Sequence, residues 1–254
     1  EITIPATIKK GGISYPVTGV GDWAFYRCGA LKTLTFSGSV DSIGDNAFQY
    51  CIALNTVTFF GGVDSIRYCA FQGCGALNTV TFSGNVGNIE DHAFRDCTAL
   101  EKVTFSGDVS SIGNYAFGQC STLDTVTFSG DVGNIWDYAF FGCDALKTLT
   151  FSGSVDSIGG YAFRNCDVLT TIYVPVSTTE DTIDMIRKAL EISGLPNVKI
   201  ERSQPEQPSD PATDPSTPSV PSTGTTGNAS VQQLEERERP DPMMWRPPSG
   251  TTSG

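Results

Sequence analysis

The sequence predicts a β-rich α/β solenoid with one parallel strand in each 23-residue coil, and three observations carry that reading. Ala-Phe pairs put a phenylalanine at Phe25, Phe48, Phe71 and onward to Phe163, always 23 residues apart. Cysteines from Cys28 and Cys51 to Cys166 keep the same step, as do leucines from Leu31 and Leu54 to Leu169. A second phenylalanine column runs from Phe36 and Phe59 to Phe151, with Val174 in the next place. A fixed period of about 20 to 29 residues is the signature of coils that each cover the apolar face of a neighbour.

Each element of the coil has its own signal. L-x-x-L-x-F, as in Leu31, Leu34 and Phe36, alternates apolar with polar residues and is rich in Thr, which predicts a short strand with one face inward. Gly38 and its copies Gly61, Gly84, Gly107, Gly130 and Gly153 end that strand in a turn. V-x-x-I (Val40, Ile43) predicts a second extended segment. D-x-A-F-x-x-C follows, in which Ala47, Phe48 and Cys51 have the i, i+1, i+4 spacing of a single helical turn. All of these columns are expected to face the core.

With L-x-x-L-x-F, V-x-x-I-G and A-F-x-x-C on one 23-residue register, the chain resembles the BspA-type (Treponema-type) leucine-rich repeat over residues 1 to about 200. The resemblance implies a leucine-rich-repeat solenoid, secreted or attached to the surface of a bacterium or parasitic protist, acting in adhesion and protein binding. It brings no common catalytic residues. One departure lies after the strand, where the family often has Pro: here Ser37, Phe60, Ser83, Ser106, Ser129 and Ser152 stand there, and Pro returns only at Pro5 and Pro175.

Terminal coils expose a core and a strand edge, so both ends need covers. Residues 1–26 predict an N-terminal cap and first partial repeat, in which Ile8 to Val17 form two extended pieces about Gly11-Gly12. Repeats of 23 residues fill 27–174. A C-terminal helix and strand cap is expected over 175–202. Thr178 with Asp181 suggests a capping box, Ile183, Ile186, Ala189 and Leu190 fall at helical spacing, Ser193-Gly194 stops the run, and Asn197 to Glu201 supply a closing strand. From 203 to 254 the chain turns to Pro, Ser, Thr, Asp and Glu, a composition that predicts a disordered stalk-like tail. The segment RPDPMMWRPPSG within it has no reading from sequence.

Charge and hydropathy exclude whole classes of partner. A net charge of -12 disfavours nucleic acid and anionic membrane surfaces, which require basic patches. No apolar run approaches the roughly 20 residues of a bilayer span. The chain opens on Glu1 without a leader, which suggests a trimmed or mature form.

Catalytic and metal chemistry find little support. The cysteines include no C-x-x-C pair, and His92 is the sole histidine, so no metal site and no cofactor is expected. A column of thiols with parallel Cβ vectors fits disulfide bridging poorly and is expected to act as small apolar filler. Cys69 is the exception: it stands where other coils carry Asn46, His92, Tyr115, Tyr138 and Tyr161, and exposure is expected for it. A nucleophile–histidine–acid set fails on the single histidine. Asp41 and Asp64 would neighbour each other across coils, but their column continues Gly87, Ser110, Gly133 and Asp156, as solvated turn residues do. The reading is therefore a protein that is not an enzyme.

Two outward features remain. Thr33 with Thr35, and the equivalent pairs in later coils, form a T-x-T array on a lattice of about 4.8 by 7 Å, broken by Lys102. Such arrays resemble the ice-binding faces of some solenoid antifreeze proteins. Phe60 breaks a serine column, and Trp136, Tyr138 and Phe141 bring aromatic residues into one coil. Exposed aromatics anchor protein interfaces, so Phe60, Lys102, Trp136, Tyr138 and Phe141 are the candidate partner-binding residues. The expected role is a non-catalytic extracellular or cell-surface binding module for a host or matrix protein. A rigid spacer within a larger surface protein, and ice binding through the threonines, are the alternatives. Sequence leaves the oligomeric state open.

Overall fold

The computed structural model describes residues 1–203 and the backbone of Met243–Trp245. After β1 (Ile2–Ile4), β2 (Thr7–Lys10) and β3 (Ile13–Val20), six coils carry two four-residue strands each. These are β4 and β5 (Thr33–Phe36, Val40–Ile43), β6 and β7 (Thr56–Phe59, Val63–Ile66), and β8 and β9 (Thr79–Phe82, Val86–Ile89). The series continues with β10 and β11 (Lys102–Phe105, Val109–Ile112), β12 and β13 (Thr125–Phe128, Val132–Ile135), and β14 and β15 (Thr148–Phe151, Val155–Ile158). β16 (Thr171–Pro175), α1 (Glu180–Ser193) and β17 (Lys199–Ser203) complete the solenoid. The first strand of each coil joins one parallel sheet, in the order β1-β4-β6-β8-β10-β12-β14-β16-β17, and the second joins another, β15-β13-β11-β9-β7-β5-β3.

Register follows the sequence period without a slip: Phe36 lies beside Phe59, Val40 beside Val63 and Ile43 beside Ile66. Because neighbouring strands are about 4.8 Å apart, identical rings in successive coils stack. Phe36 and Phe59 sit 4.5 Å apart and 2° from parallel, and Phe48 and Phe71 are 5.0 Å apart at 6°. The two ladders meet edge to face, with Phe36 at 90° to Phe48. Phe48, Cys51 and Leu54 are fully buried, and so are their counterparts through most of the coils. Burying such rings contributes about 1.5–3 kcal/mol each, repeated once per coil.

The A-F-x-x-C segment is not the helical turn its spacing suggested. Amides there alternate: those of Ala47, Gln49 and Cys51 donate three residues back within the coil, to Gly44, Asn46 and Phe48, whereas those of Asn46, Phe48 and Tyr50 donate to Tyr68, Ala70 and Gln72 of the next coil. Asn46 and Tyr50 are left-handed, at φ 55° and 58°. Left-handed residues at this interval break the run of right-handed dihedrals a helix needs. The result is a third side of stacked turns that hydrogen-bonds along the axis as the sheets do.

The thiols do more than fill space. Cys51 Sγ donates to the Phe25 carbonyl at 3.1 Å, and Cys74, Cys97, Cys120, Cys143 and Cys166 repeat the contact with the phenylalanine 26 residues earlier at 3.1–3.3 Å. Cys69, expected to be exposed, is buried at 3 %. Its column runs along the axis, where the smaller Cys69 stands between Asn46 and His92 of the coils to either side. The glycines after the first strand are required by close approach: a Cβ on Gly84 would lie 2.6 Å from the Gly62 backbone nitrogen.

At the front, β2 pairs antiparallel with β3 from Thr7–Pro16 to Lys10–Ile13, across a turn in which Gly11 and Gly12 have φ of 59° and 82°. At the back, α1 is capped by Thr179, whose hydroxyl accepts from the Thr182 amide, one residue later than the expected Thr178, and ends at left-handed Gly194. Ile183, Ile186, Ala189 and Leu190 of α1 are buried. Ser193 substitutes for the coil that does not follow: its Oγ accepts from the Phe163 amide at 3.3 Å and donates to the Gly160 carbonyl at 3.1 Å. β17 then pairs in parallel with β16, Ile200 beside Ile172.

The expected tail lies outside the described residues except for β18 (Met243–Trp245), whose backbone pairs in parallel with β3, Met243 beside Val17 and Trp245 beside Val20. This three-residue stretch of the segment that had no reading from sequence departs from the disorder expected of the tail. It extends the second sheet past β3, at the end where the coils begin.

Candidate functional site

Three surfaces leave the periodic core. The outer face of the first sheet carries the threonine columns, with Lys102 seated between Thr79 and Thr125. In the column of Lys102, the hydroxyls of Thr56, Thr79 and Thr125 donate to the preceding Asn55, Asn78 and Asp124 side chains at 2.9–3.4 Å. The second column, Thr35 to Thr150, ends beside Tyr173.

On the turn side, His92, Tyr115, Tyr138 and Tyr161 stack in sequence at 5.4, 4.9 and 5.1 Å, each contact within 19° of parallel. Phe141 stands edge-on to Tyr115 and Tyr138, 5.6 and 6.0 Å away, and the Arg95 and Arg164 guanidinium groups lie over Tyr115 and Tyr161. His92 Nδ1 is buried without a hydrogen-bond partner. Burial lowers the His92 pKa, and the nearby Arg95 charge lowers it further.

The third surface is an open groove of about 450 Å³ where the second sheet passes into the turns, with Tyr68 and Trp136 among its walls and Glu90, Asp91, Gly113 and Asn114 between them. Local register builds it. The amides of Arg67, Glu90, Gly113, Trp136 and Gly159 donate to Ile43, Ile66, Ile89, Ile112 and Ile135, so these five residues form one column along the axis. Tyr68, Asp91, Asn114 and Asp137 form the next. Asp91 Oδ1 accepts from the Asn114 amide at 2.7 Å and from its side chain at 3.2 Å, and Glu90 Oε1 accepts from Ser65 Oγ at 3.1 Å.

The expected site residues fall on different surfaces. Phe60, 63 % exposed, follows the first sheet, and Lys102 is exposed on that sheet's face. Tyr138 and Phe141 meet each other in the turn-side stack and are half-buried. Trp136, 54 % exposed, makes no ring contact with either among the described residues and belongs to the groove. The groove's other wall and its carboxylates were missed in the sequence. The signal was there: Tyr68 interrupts a run of Asp22, Asp45, Asp91, Asn114 and Asp137, a column that ends at Gly160.

Among the described residues no cluster of three or more His, Cys, Asp or Glu side chains could hold a metal ion. Burial raises the pKa of the Cys97 and Cys120 thiols.

Six copies of the BspA type leucine rich repeat region match the chain, over residues 6–101 and 89–193. The chain belongs to this family. BspA-type repeats account for both sheets and the turn side, so what distinguishes this member is what its columns do not repeat. Solved structures similar to it include a leucine-rich repeat protein from Bacteroides ovatus, at 20% identity and TM-score 0.34, covering 68% of this chain and 62% of that one. The chain thus spans less than two thirds of the Bacteroides protein. The Treponema pallidum leucine-rich repeat protein shares 22% identity at TM-score 0.43, over 80% of this chain and 86% of that one. A leucine rich cell surface protein from Faecalibacterium prausnitzii shares 17% identity at TM-score 0.34, over 73% of this chain and 90% of that one. Comparison with curated proteins returned no match. Among the described residues no helix is long and apolar enough to cross a membrane.

Proposed function

We propose that this BspA-type repeat domain is a non-catalytic protein-binding module working at the cell exterior, in adhesion to a host or matrix protein. Membership in the repeat family supports protein interaction as the coarse role. The observation that carries the finer reading is where the large apolar side chains are spent. Almost every periodic one is buried, whereas Phe60 and Trp136, which break their columns, stand 63 % and 54 % exposed. Holding large aromatic surface in water is unfavourable, and aromatic side chains dominate interface energetics when a partner covers them. Lys102 adds a cation in the threonine face, a second departure from the repeat.

The test is capture of extracellular matrix and host surface proteins by the full chain, compared with Phe60→Ala, Lys102→Ala and Trp136→Ala. A binding module loses a captured partner with at least one of these changes. Capture unaffected by all three, but lost when a 23-residue coil is deleted, would identify a rigid spacer instead.

A further inference from the structure

The groove beside Trp136 has an internal precedent two coils earlier. Arg67 stands in the column that continues through Glu90, Gly113 and Trp136, and its guanidinium reaches back to Asp45 (Nε to Oδ1, 3.3 Å) and Asp22 (Nη1 to Oδ1, 3.9 Å) in the adjoining column. Gly113 occupies the same place 46 residues on and carries no side chain. The acid equivalent to Asp45 is still present there as Asp91, the position of Asp22 is taken by Tyr68, and the flanking members of the column are Glu90 and Trp136.

We infer that the groove over Gly113 is a receptor site for a guanidinium group of a partner protein, an arginine side chain seated between Asp91, Glu90 and the indole of Trp136. The inference rests on the protein-binding reading and adds the chemistry of one anchor. Three observations favour a cation over other occupants. Neither Glu90 nor Asp91 has an ion-pair partner among the described residues, whereas Asp45, the counterpart of Asp91, is paired with Arg67. Glu90 accepts one hydrogen bond and Asp91 three, all three from Asn114, yet both keep an unused lone pair, since an ionised carboxylate offers about four acceptor sites. Trp136 is half-exposed at the groove wall and makes no ring contact among the described residues, and indole is the ring that attracts a cation most strongly. Arginine fits better than lysine because a planar guanidinium can stack on the indole while its N–H fork faces a carboxylate.

The probe is the peptide acetyl-Gly-Arg-Gly-amide, with its citrulline counterpart as a neutral control of the same shape. The readout is the Trp136 indole N–H signal in NMR spectra of the full chain, assigned with Trp136→Phe. The arginine peptide is expected to give a saturable shift that weakens with salt, and the citrulline peptide none. Asp91→Asn, which keeps the oxygen that accepts from the Asn114 amide, and Glu90→Gln should each weaken binding about five- to ten-fold. An equal response to citrulline, or affinity unchanged in both carboxylate variants, overturns the site. Protein capture that persists without any response to the arginine peptide also overturns it, while leaving the binding role standing. A bound arginine peptide with no protein captured would instead count against the adhesion reading.

Discussion

The Cys97 thiol donates to the Phe71 carbonyl 3.3 Å away, in the preceding coil, and the same oxygen accepts from the Cys74 amide. One side chain thus ties two coils together on the turn side, where no continuous strand does so. Cys97→Ala removes the bond and leaves a small cavity, and is expected to cost about 1–2 kcal/mol. Cys97→Ser restores a donor but not the volume, and should fall between the alanine variant and the parent. Denaturant midpoints would rank the three; a serine variant no better than alanine would show that the thiol contributes only bulk.

The strand-ending glycines and the turn glycines should respond oppositely to a methyl group. Gly84→Ala forces a Cβ to within 2.6 Å of the Gly62 nitrogen and 2.8 Å of the Gly61 carbonyl carbon, both backbone atoms that cannot swing aside. A loss of at least about 1–3 kcal/mol is expected, as for other overpacked sites. At Gly75 the nearest atom is Thr98 Oγ1 at 3.8 Å, and Gly75→Ala should be neutral or stabilise by up to about 1 kcal/mol through the unfolded chain. Thermal unfolding of the pair checks the contrast.

Acidification should weaken the turn-side stack through His92. Burial lowers its folded pKa below the ordinary 6.5, so as pH falls through that value the unfolded chain takes up the proton first. The stability held by the neutral ring is complete above the unfolded value and is lost as pH falls toward the lowered folded one. His92→Tyr places in the stack the residue found at Tyr115 and Tyr138 and removes this titration. The drop in melting temperature between about pH 7.5 and pH 5 should therefore be smaller in the variant than in the parent. Equal drops would mean that the carboxylates alone set the acid response.

The threonine face should not bind ice. Three hydroxyls of its first column already donate within the protein, Lys102 interrupts that column, and Tyr173 ends the second. No thermal hysteresis is expected at millimolar protein. A Lys102→Thr variant should remain inactive, because Thr56, Thr79 and Thr125 keep their internal partners.

The 23-residue step by itself determined the coil, the strands at Thr33–Phe36 and Val40–Ile43 and the inward columns, because a side chain repeated at every coil must meet its own copy about 4.8 Å away. The Gly11-Gly12 turn signal also marked the hairpin, and apolar periodicity the amphipathic cap helix. It could not separate a helical turn from stacked left-handed turns, since Ala47, Phe48 and Cys51 face inward in both, and only the amide pairing between coils distinguishes them. Cys69 was misplaced for a related reason: its burial at 3 % is a matter of packing, which the polar residues of its column did not reveal. Trp136 was visible as an exception in its column, yet its separation from Tyr138 and its company with Tyr68, Glu90 and Asp91 depend on which way each backbone turn directs its side chain. The pairing of Met243–Trp245 with β3 lies further still from any periodic signal, because it joins segments more than 200 residues apart that share no repeat. Sequence specifies what is repeated; where the repeat fails, contacts between coils decide the arrangement.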